Sequence, residues 1–396
     1  KGAPLSLQQA GDFFTHTTKG FVCVSAVRRV VAENLTVPAR KPVMAYCLAW
    51  LSVSGSNSVL PPELYTNILQ QSEGNPYFIE EFIRSLKELE IIKKSDSRYR
   101  LAKDIHDLRL PSTIHDVIMA RVDSLPDRAK QVLQTGSVIE REFAYELIKH
   151  VTGLPEQELL SRLSILKDSE LFYERGIYPQ SAYVFKHALT QDVVYNSILT
   201  KVKKKLHEEI ANAIEVLYKE TIDGQYGILA EHFIKGESYE KGAKYSRLAS
   251  RKAQKAASFR EAVEYADKGV FCLERLVTTQ SVQQQLIDAR TRLAGYHLSL
   301  THHVEAHEAV APIANLAAEL NYQKRLPLIY IAMGAFRDWV EEDYSKGVRY
   351  LSEAIRISEG IKDNVSLWYA SFHLGFNLSW NGEFENGLGY LIKSLD

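Results

Sequence analysis

Apolar residues recur three and four positions apart along most of this chain, the spacing that lays them on one face of a helix. Leu64, Ile68 and Leu69 form such a face after Pro61 and Pro62, which suit a helix start, and the face stops at Gly74. A second face begins at Pro76 with Phe78, Ile79, Phe82, Ile83 and Leu86, while Glu80, Glu81, Arg84 and Lys87 point away. The two predicted helices meet at a corner, Gly74-Asn75-Pro76. Farther on, Ser112 or Thr113 can cap a helix carrying Ile114, Val117, Ile118 and Val122, and Asp127 starts another with Val132 and Leu133. Residues 144–151 and 156–166 supply two more, and strand-like stretches at 171–174 and 183–185 flank a turn region with Gly176 and Pro179. Helices followed by a hairpin predict a winged helix.

Beyond that point the helical pattern repeats. Tyr344, Gly347, Tyr350 and Leu351 recur forty residues later as Phe384, Gly387, Tyr390 and Leu391, and the same aromatic, small, tyrosine spacing occurs at Tyr239, Gly242, Tyr245 and at Phe259, Ala262, Tyr265. Such repetition predicts stacked helix pairs, the small residues letting helices approach and the aromatic ones filling the gaps between pairs. The expected fold is therefore mainly α, a helical lid and a winged-helix domain followed by an α-solenoid of tetratricopeptide type. Residues 1–58 stay unassigned, 59–108 form the lid, 109–220 the winged-helix domain and 221–396 the repeats.

Composition narrows the function more than the fold. The 396 residues are 45% hydrophobic and 24% charged with a net charge of -1, ordinary for a soluble protein and giving no global reason to expect nucleic acid or an anionic membrane as partner. No apolar run approaches the roughly 20 residues that span a bilayer. Cys23, Cys47 and Cys272 are too few and too scattered for zinc or a disulfide framework, which points to a reducing, cytoplasmic setting. No phosphate-binding G-x-x-x-x-G-K-[ST] loop, dinucleotide fingerprint or G-x-S-x-G elbow occurs, so no catalytic centre is expected. The chain begins at Lys1 instead of Met and reads as a piece of something longer.

Four runs in order carry a family resemblance: residues 73–81, residues 111–114 with 120–126, residues 136–143, and residues 185–195 from Phe185 to Tyr195. With them the chain resembles the signal-transduction ATPases with numerous domains, the STAND class, and more narrowly the large bacterial proteins in which an adenylate or guanylate cyclase domain precedes an ATPase module and a tetratricopeptide tail. That resemblance implies that Pro76 packs on the adenine of ATP or ADP, with Gly74 and Asn75 shaping the turn. It also implies that His187 senses the terminal phosphate of ADP and that Lys186 assists. The nucleotide belongs to the full-length parent, since residues 1–58 show neither the strands nor the acidic magnesium motif of a nucleotide-binding core, and none is expected to bind this portion tightly. Glu140 departs from the small residue usual in its run. The implied role is regulatory and scaffolding, with upstream nucleotide-binding and output domains and a protein or peptide partner on the solenoid. A transcription regulator, a protein kinase or a plain tetratricopeptide scaffold are the other readings.

Taken without the resemblance, Gly74-Asn75-Pro76 is a helix corner and His187 a capping or packed residue. His302, His303 and His307 read as a solvated helix face in preference to zinc, because no third ligand stands at a convincing spacing. The Lys201, Lys203, Lys204, Lys205 cluster reads as the solvated start of a helix with Leu206, Ile210, Ile214 and Leu217 inward, and helix 156–166 has too few basic residues for a DNA groove. Trp339, Trp368 and Trp380 are expected mainly as core between repeats, a few aromatic residues lining a binding face.

Overall fold

The computed structural model describes residues 92–95, 98–101 and 114–393. They divide into two compact units, Lys1–Phe143 with Leu154–Ile198 and Ala144–Gly153 with Leu199–Asp396. The corner Gly74, Asn75 and Pro76, and all of segment 1–58, lie outside the described residues.

The first unit opens with an antiparallel hairpin of β1 (Ile92–Ser95) and β2 (Arg98–Leu101), Ile92 opposite Leu101 and Ser95 opposite Arg98, in a stretch for which the sequence pattern suggests no element. Helices α1 (Ile114–Asp123) and α2 (Asp127–Ile139) follow at the expected places. Pro126 stands just before the first turn of α2, where a missing N–H costs nothing, and Asp127 complements the positive end of the helix. Strand β3 (Glu142–Ala144) follows; the chain then passes through α3 (Tyr145–Thr152), a helix of the second unit that closes with Gly153 in the left-handed region, and returns to the first unit with α4 (Glu156–Asp168). Strands β4 (Phe172–Arg175) and β5 (Ala182–Phe185) form the expected hairpin, Phe172 opposite Phe185, and the sheet order is β3-β5-β4. The sheet order differs from the chain order, because β5 lies between β3 and β4. The three residues of β3 are too few for alternation to announce them.

Four rings hold this sheet to its helices. Phe143, Phe172, Tyr183 and Phe185 are all buried, and Phe172 meets Phe185 edge to face at 4.7 Å between centroids. Such a contact adds ~1 kcal/mol beyond the apolar area removed from water. Arg121 of α1 is also buried, and its Nη2 donates to the Ser169 carbonyl at 2.7 Å, tying α1 to the end of α4. Glu140, the departure from the family pattern, is exposed on extended backbone, so its charge is solvated. Helix α5 (Ala188–Ser197) ends the unit, burying Thr190, Val193 and Val194.

The second unit is a run of helices in which most pack on the next and several on the next but one, the contact pattern of stacked pairs. They are α6 (Thr200–Leu217), α7 (Tyr226–Lys235), α8 (Tyr239–Lys255), α9 (Phe259–Leu273), α10 (Gln280–Ser299), α11 (His303–Val310), α12 (Ala314–Glu319), α13 (Leu326–Trp339), α14 (Tyr344–Ile361), α15 (Asn364–Trp380) and α16 (Phe384–Lys393). Tyr239, Phe259, Tyr344 and Phe384, the first members of the four repeat motifs, are each the first residue of a helix. The small residue three positions later, Gly242, Ala262, Gly347 or Gly387, is buried in all four. The core between them is rich in alanine and branched aliphatic residues, among them Ala262, Ala294, Ala332, Ile329 and Leu351.

Candidate functional site

In the first unit, β5 delivers His187 to the position immediately before α5, on extended backbone with φ -136° and ψ 137°. Its ring is half-buried and makes no capping bond to the helix, although the first-turn N–H groups of α5 lie just beyond it. A helix start of this kind favours anions, through free N–H groups and the helix dipole. Lys186 donates its backbone N–H to the Leu171 carbonyl at 3.0 Å, and its ammonium is ion-paired with Glu170. The lysine is thus held to the turn before the hairpin.

The second unit holds a larger feature that no motif announces. An open pocket of about 580 Å³ spans α8, α9 and α10. Lys241, Lys244, Arg247 and Arg292 line it and face only Glu240 and Asp288 as acids. Asp288 is engaged by Arg325 Nε at 2.5 Å, and Lys241 by Glu215 at 2.6 Å. Arg247 and Arg292 make no ion pair among the described residues, and burial, reinforced by neighbouring Arg251, pushes the Arg292 guanidinium below its usual range. A desolvated guanidinium without a counter-ion is the group that gains most from an incoming carboxylate or phosphate. The cations sit at helical spacing on α8, three apart from 241 to 244 to 247, which is the signal that sequence reasoning passed over.

Of the histidines His302, His303 and His307, the first is exposed, as expected, and the other two are packed. His303 stacks on Trp339 at 5.8 Å and 8°, and His307 on Phe336 at 4.1 Å and 15°, so for these two the expected solvated face is corrected. Burial lowers both from the ordinary histidine value. No cluster of three metal-ligating side chains occurs among the described residues. A second pair escaped the sequence reading: His207 and His232 are buried with their Nδ1 atoms 2.9 Å apart. Its signal is the spacing of His207 with Ile210 and Ile214 on α6, an apolar stripe that Leu217, partly exposed, was expected to continue. In the lysine cluster of α6, Lys204 pairs with Glu237 at 2.7 Å and Lys205 with Glu209 at 3.3 Å. The tryptophans also differ from expectation. Trp339, Trp368 and Trp380 are 52%, 43% and 72% exposed and do not form core between repeats.

No helix among the described residues is long and apolar enough to cross a membrane. No protein-family model matches the chain, and no curated protein does. Among solved structures, the chain is similar to a Signal Transduction ATPase with Numerous Domains carrying a tetratricopeptide repeat sensor, from Pyrococcus horikoshii, at 13% identity and a TM-score of 0.35. The match covers 89% of this chain and 53% of that one, so the chain spans about half its length. It is also similar to tetratricopeptide-like repeats of a putative kinesin light chain from Podosopora anserina, at 14% identity and a TM-score of 0.30 over 50% of this chain and 94% of that one. Aspartyl phosphate phosphatase F from Bacillus subtilis matches at 11% identity and a TM-score of 0.28, over 100% of this chain and 95% of that one. Likenesses this distant imply nothing about what this chain binds.

Proposed function

We propose that this chain is the regulatory, partner-binding portion of a nucleotide-switched signalling protein, and that its repeat unit takes an acidic segment of a partner polypeptide in the pocket of α8, α9 and α10. The observation that carries the partner half is the pair Arg247 and Arg292, cationic in that pocket and without a carboxylate partner among the described residues. A bound acidic side chain restores the counter-charge that burial has removed, and charge-assisted bonds to a guanidinium contribute ~1.5–3 kcal/mol each. An oligoglutamate peptide and its oligoglutamine counterpart test this by fluorescence anisotropy. The charged peptide is expected to bind at least tenfold tighter, with affinity falling as salt rises and falling about tenfold in Arg292→Gln. Equal binding of the two peptides, or no change in Arg247→Gln and Arg292→Gln, refutes it.

The nucleotide half rests on the STAND resemblance and extends it: ATP or ADP bound mainly by an upstream core, Pro76 of the corner Gly74-Asn75-Pro76 against the adenine, and His187 toward the terminal phosphate. The parent is then an adenylate or guanylate cyclase homologue, in which partner binding on the repeats biases the nucleotide-held state. The position of His187 at the start of α5 suits an anion. ADP affinity of the full-length protein, compared with Pro76→Ala and His187→Ala, tests that half, and unchanged affinity in both variants rules it out. One observation favours a plain scaffold without nucleotide: the Lys186 ammonium is already paired with Glu170.

A further inference from the structure

A second pocket, of about 200 Å³, lies between α13 and α15 and has a different chemistry. Its walls are aromatic. Trp339 and Trp380 stand 6.4 Å apart between centroids at 54°, Phe376 lines the same space, and His303 stacks on Trp339. At its base is Asp338, only 7% exposed. One carboxylate oxygen accepts from Asn377 Nδ2, while Oδ2 is buried and meets no donor. No lysine or arginine lines the pocket; the nearby cations are spent elsewhere, Arg337 on Glu341 and Lys346 on Asp343.

The repeat itself shows that a carboxylate is not needed there for packing. Gly334 of α13 and Gly375 of α15 are equivalent, each receiving a leucine from the following helix, Leu351 and Leu391. Four positions on, Asp338 corresponds to Ser379 and Trp339 to Trp380. Ser379 presses its hydroxyl on Gly387 as Asp338 presses its carboxylate on Gly347, where an added Cβ would sit 1.5 Å from Oδ1. The fold asks only for a small polar group against a glycine. A buried acceptor left without a donor is costly, and one that opens into a pocket gains from whatever supplies the donor.

We propose that this pocket is a cation-binding site for the guanidinium or ammonium head of a basic side chain on a partner polypeptide, with Trp339 and Trp380 as its walls and the Asp338 carboxylate as counter-charge. Aromatic faces attract cations through their quadrupole, and removal from water strengthens that attraction. Glu342 at the rim adds a second negative charge. A polypeptide fits better than a free amine, because α16 carries Phe384, Leu388 and Ile392 exposed at four-residue spacing beyond Trp380, an apolar stripe a larger partner would cover. This site is separate from the basic pocket of α8 to α10 and takes the opposite charge.

Burial, together with the charge of Asp343, holds Asp338 up at about 7 against the opposing Asn377 hydrogen bond, so a bound cation draws a proton off it. The other groups facing it are Glu342 and Tyr344, His373 from α15, which burial holds down at about 4, and His303 from α11, also lowered. His373 stays neutral between pH 8 and 6 and burial opposes a charge on His303, so Asp338 is the group whose titration the binding follows in that range.

The test uses N-acetyl-arginine methylamide and its uncharged isostere, the citrulline derivative, with the indole N–H resonances of Trp339 and Trp380 as readout. The arginine probe is expected to bind at least tenfold tighter than the citrulline probe at pH 8, with that preference falling about tenfold at pH 6. Asp338→Ser, which installs the residue the next repeat carries, is expected to bring the two probes to within twofold while leaving the helical circular dichroism unchanged. Trp380→Ala, at a surface position, is expected to weaken the arginine probe at least threefold. Equal response to both probes in the native chain, no response to either, or an arginine preference that survives Asp338→Ser overturns the proposal.

Discussion

Acid is expected to loosen the repeat unit at one identifiable point, the buried pair His207 and His232. With Nδ1 atoms 2.9 Å apart, one ring donates and the other accepts, so at least the accepting ring is neutral. Adding a proton places a charge where burial, His232, Lys235 and Lys203 all oppose it, which holds His207 down at about 3. An unfolded histidine titrates near 6.5. The folded value is lowered for a base, so the unfolded state takes up its proton first, and stability is lost as pH falls below about 6.5 and goes on being lost to about 3. Between pH 8 and pH 5 the integrated loss is ~2 kcal/mol, and any folded value below about 4 gives nearly the same figure, because at pH 5 the folded ring is then still almost wholly unprotonated. His207→Gln keeps a hydrogen-bonding partner for His232 and removes the titration. His297, His303, His307 and His373 are also lowered, but they persist in both proteins and cancel in the difference. A long helical array can unfold in steps, so the assay is native-state hydrogen exchange of amides in α6 and α7 at the two pH values, read as opening free energies. The native chain is expected to lose ~2 kcal/mol more than the variant. A difference under ~0.5 kcal/mol shows that the pair is not a neutral buried dyad.

Three further outcomes follow from packing. Gly347→Ala drives a methyl into the Asp338 carboxylate with the Asn377 amide 3.0 Å away, and is expected to cost ~1–3 kcal/mol in urea denaturation, whereas Gly360→Ala, where an added Cβ meets nothing, is expected to be neutral or mildly stabilising. Phe185→Ala removes a fully buried ring from a four-ring cluster and is expected to destabilise the first unit by ~3–5 kcal/mol, visible as an earlier transition by near-UV circular dichroism. Cys272 is fully buried and its thiol is pushed up to about 11, so alkylation by iodoacetamide at pH 8 is expected only after unfolding; prompt labelling of the native chain contradicts the packing of α9.

Where the described helices begin was largely legible in the chain. Asp127 and Glu156 start helices where pattern placed them, and the repeat motifs at Tyr239, Phe259, Tyr344 and Phe384 lie in helices as the repetition predicted, because a proline, a cap or a repeat motif is a local signal. The hairpin of β4 and β5 was legible for the same reason, its strands bounded by the turn around Gly176 and Pro179. Strand β3, three residues long, carried too little period to see, and α5 was hidden inside a run read for its family likeness.

The sequence by itself determined the helical period, the hairpin of β4 and β5 and the repeat, since each depends on residues within a few positions of one another. Tertiary structure alone decided that Trp339 and Trp380 face solvent around a pocket, that His207 meets His232, and that Asp338 lies against Gly347 with an oxygen unsatisfied. Those outcomes join side chains on different helices, and helical period says which face a residue occupies but not what the packing of the next helices brings up against it.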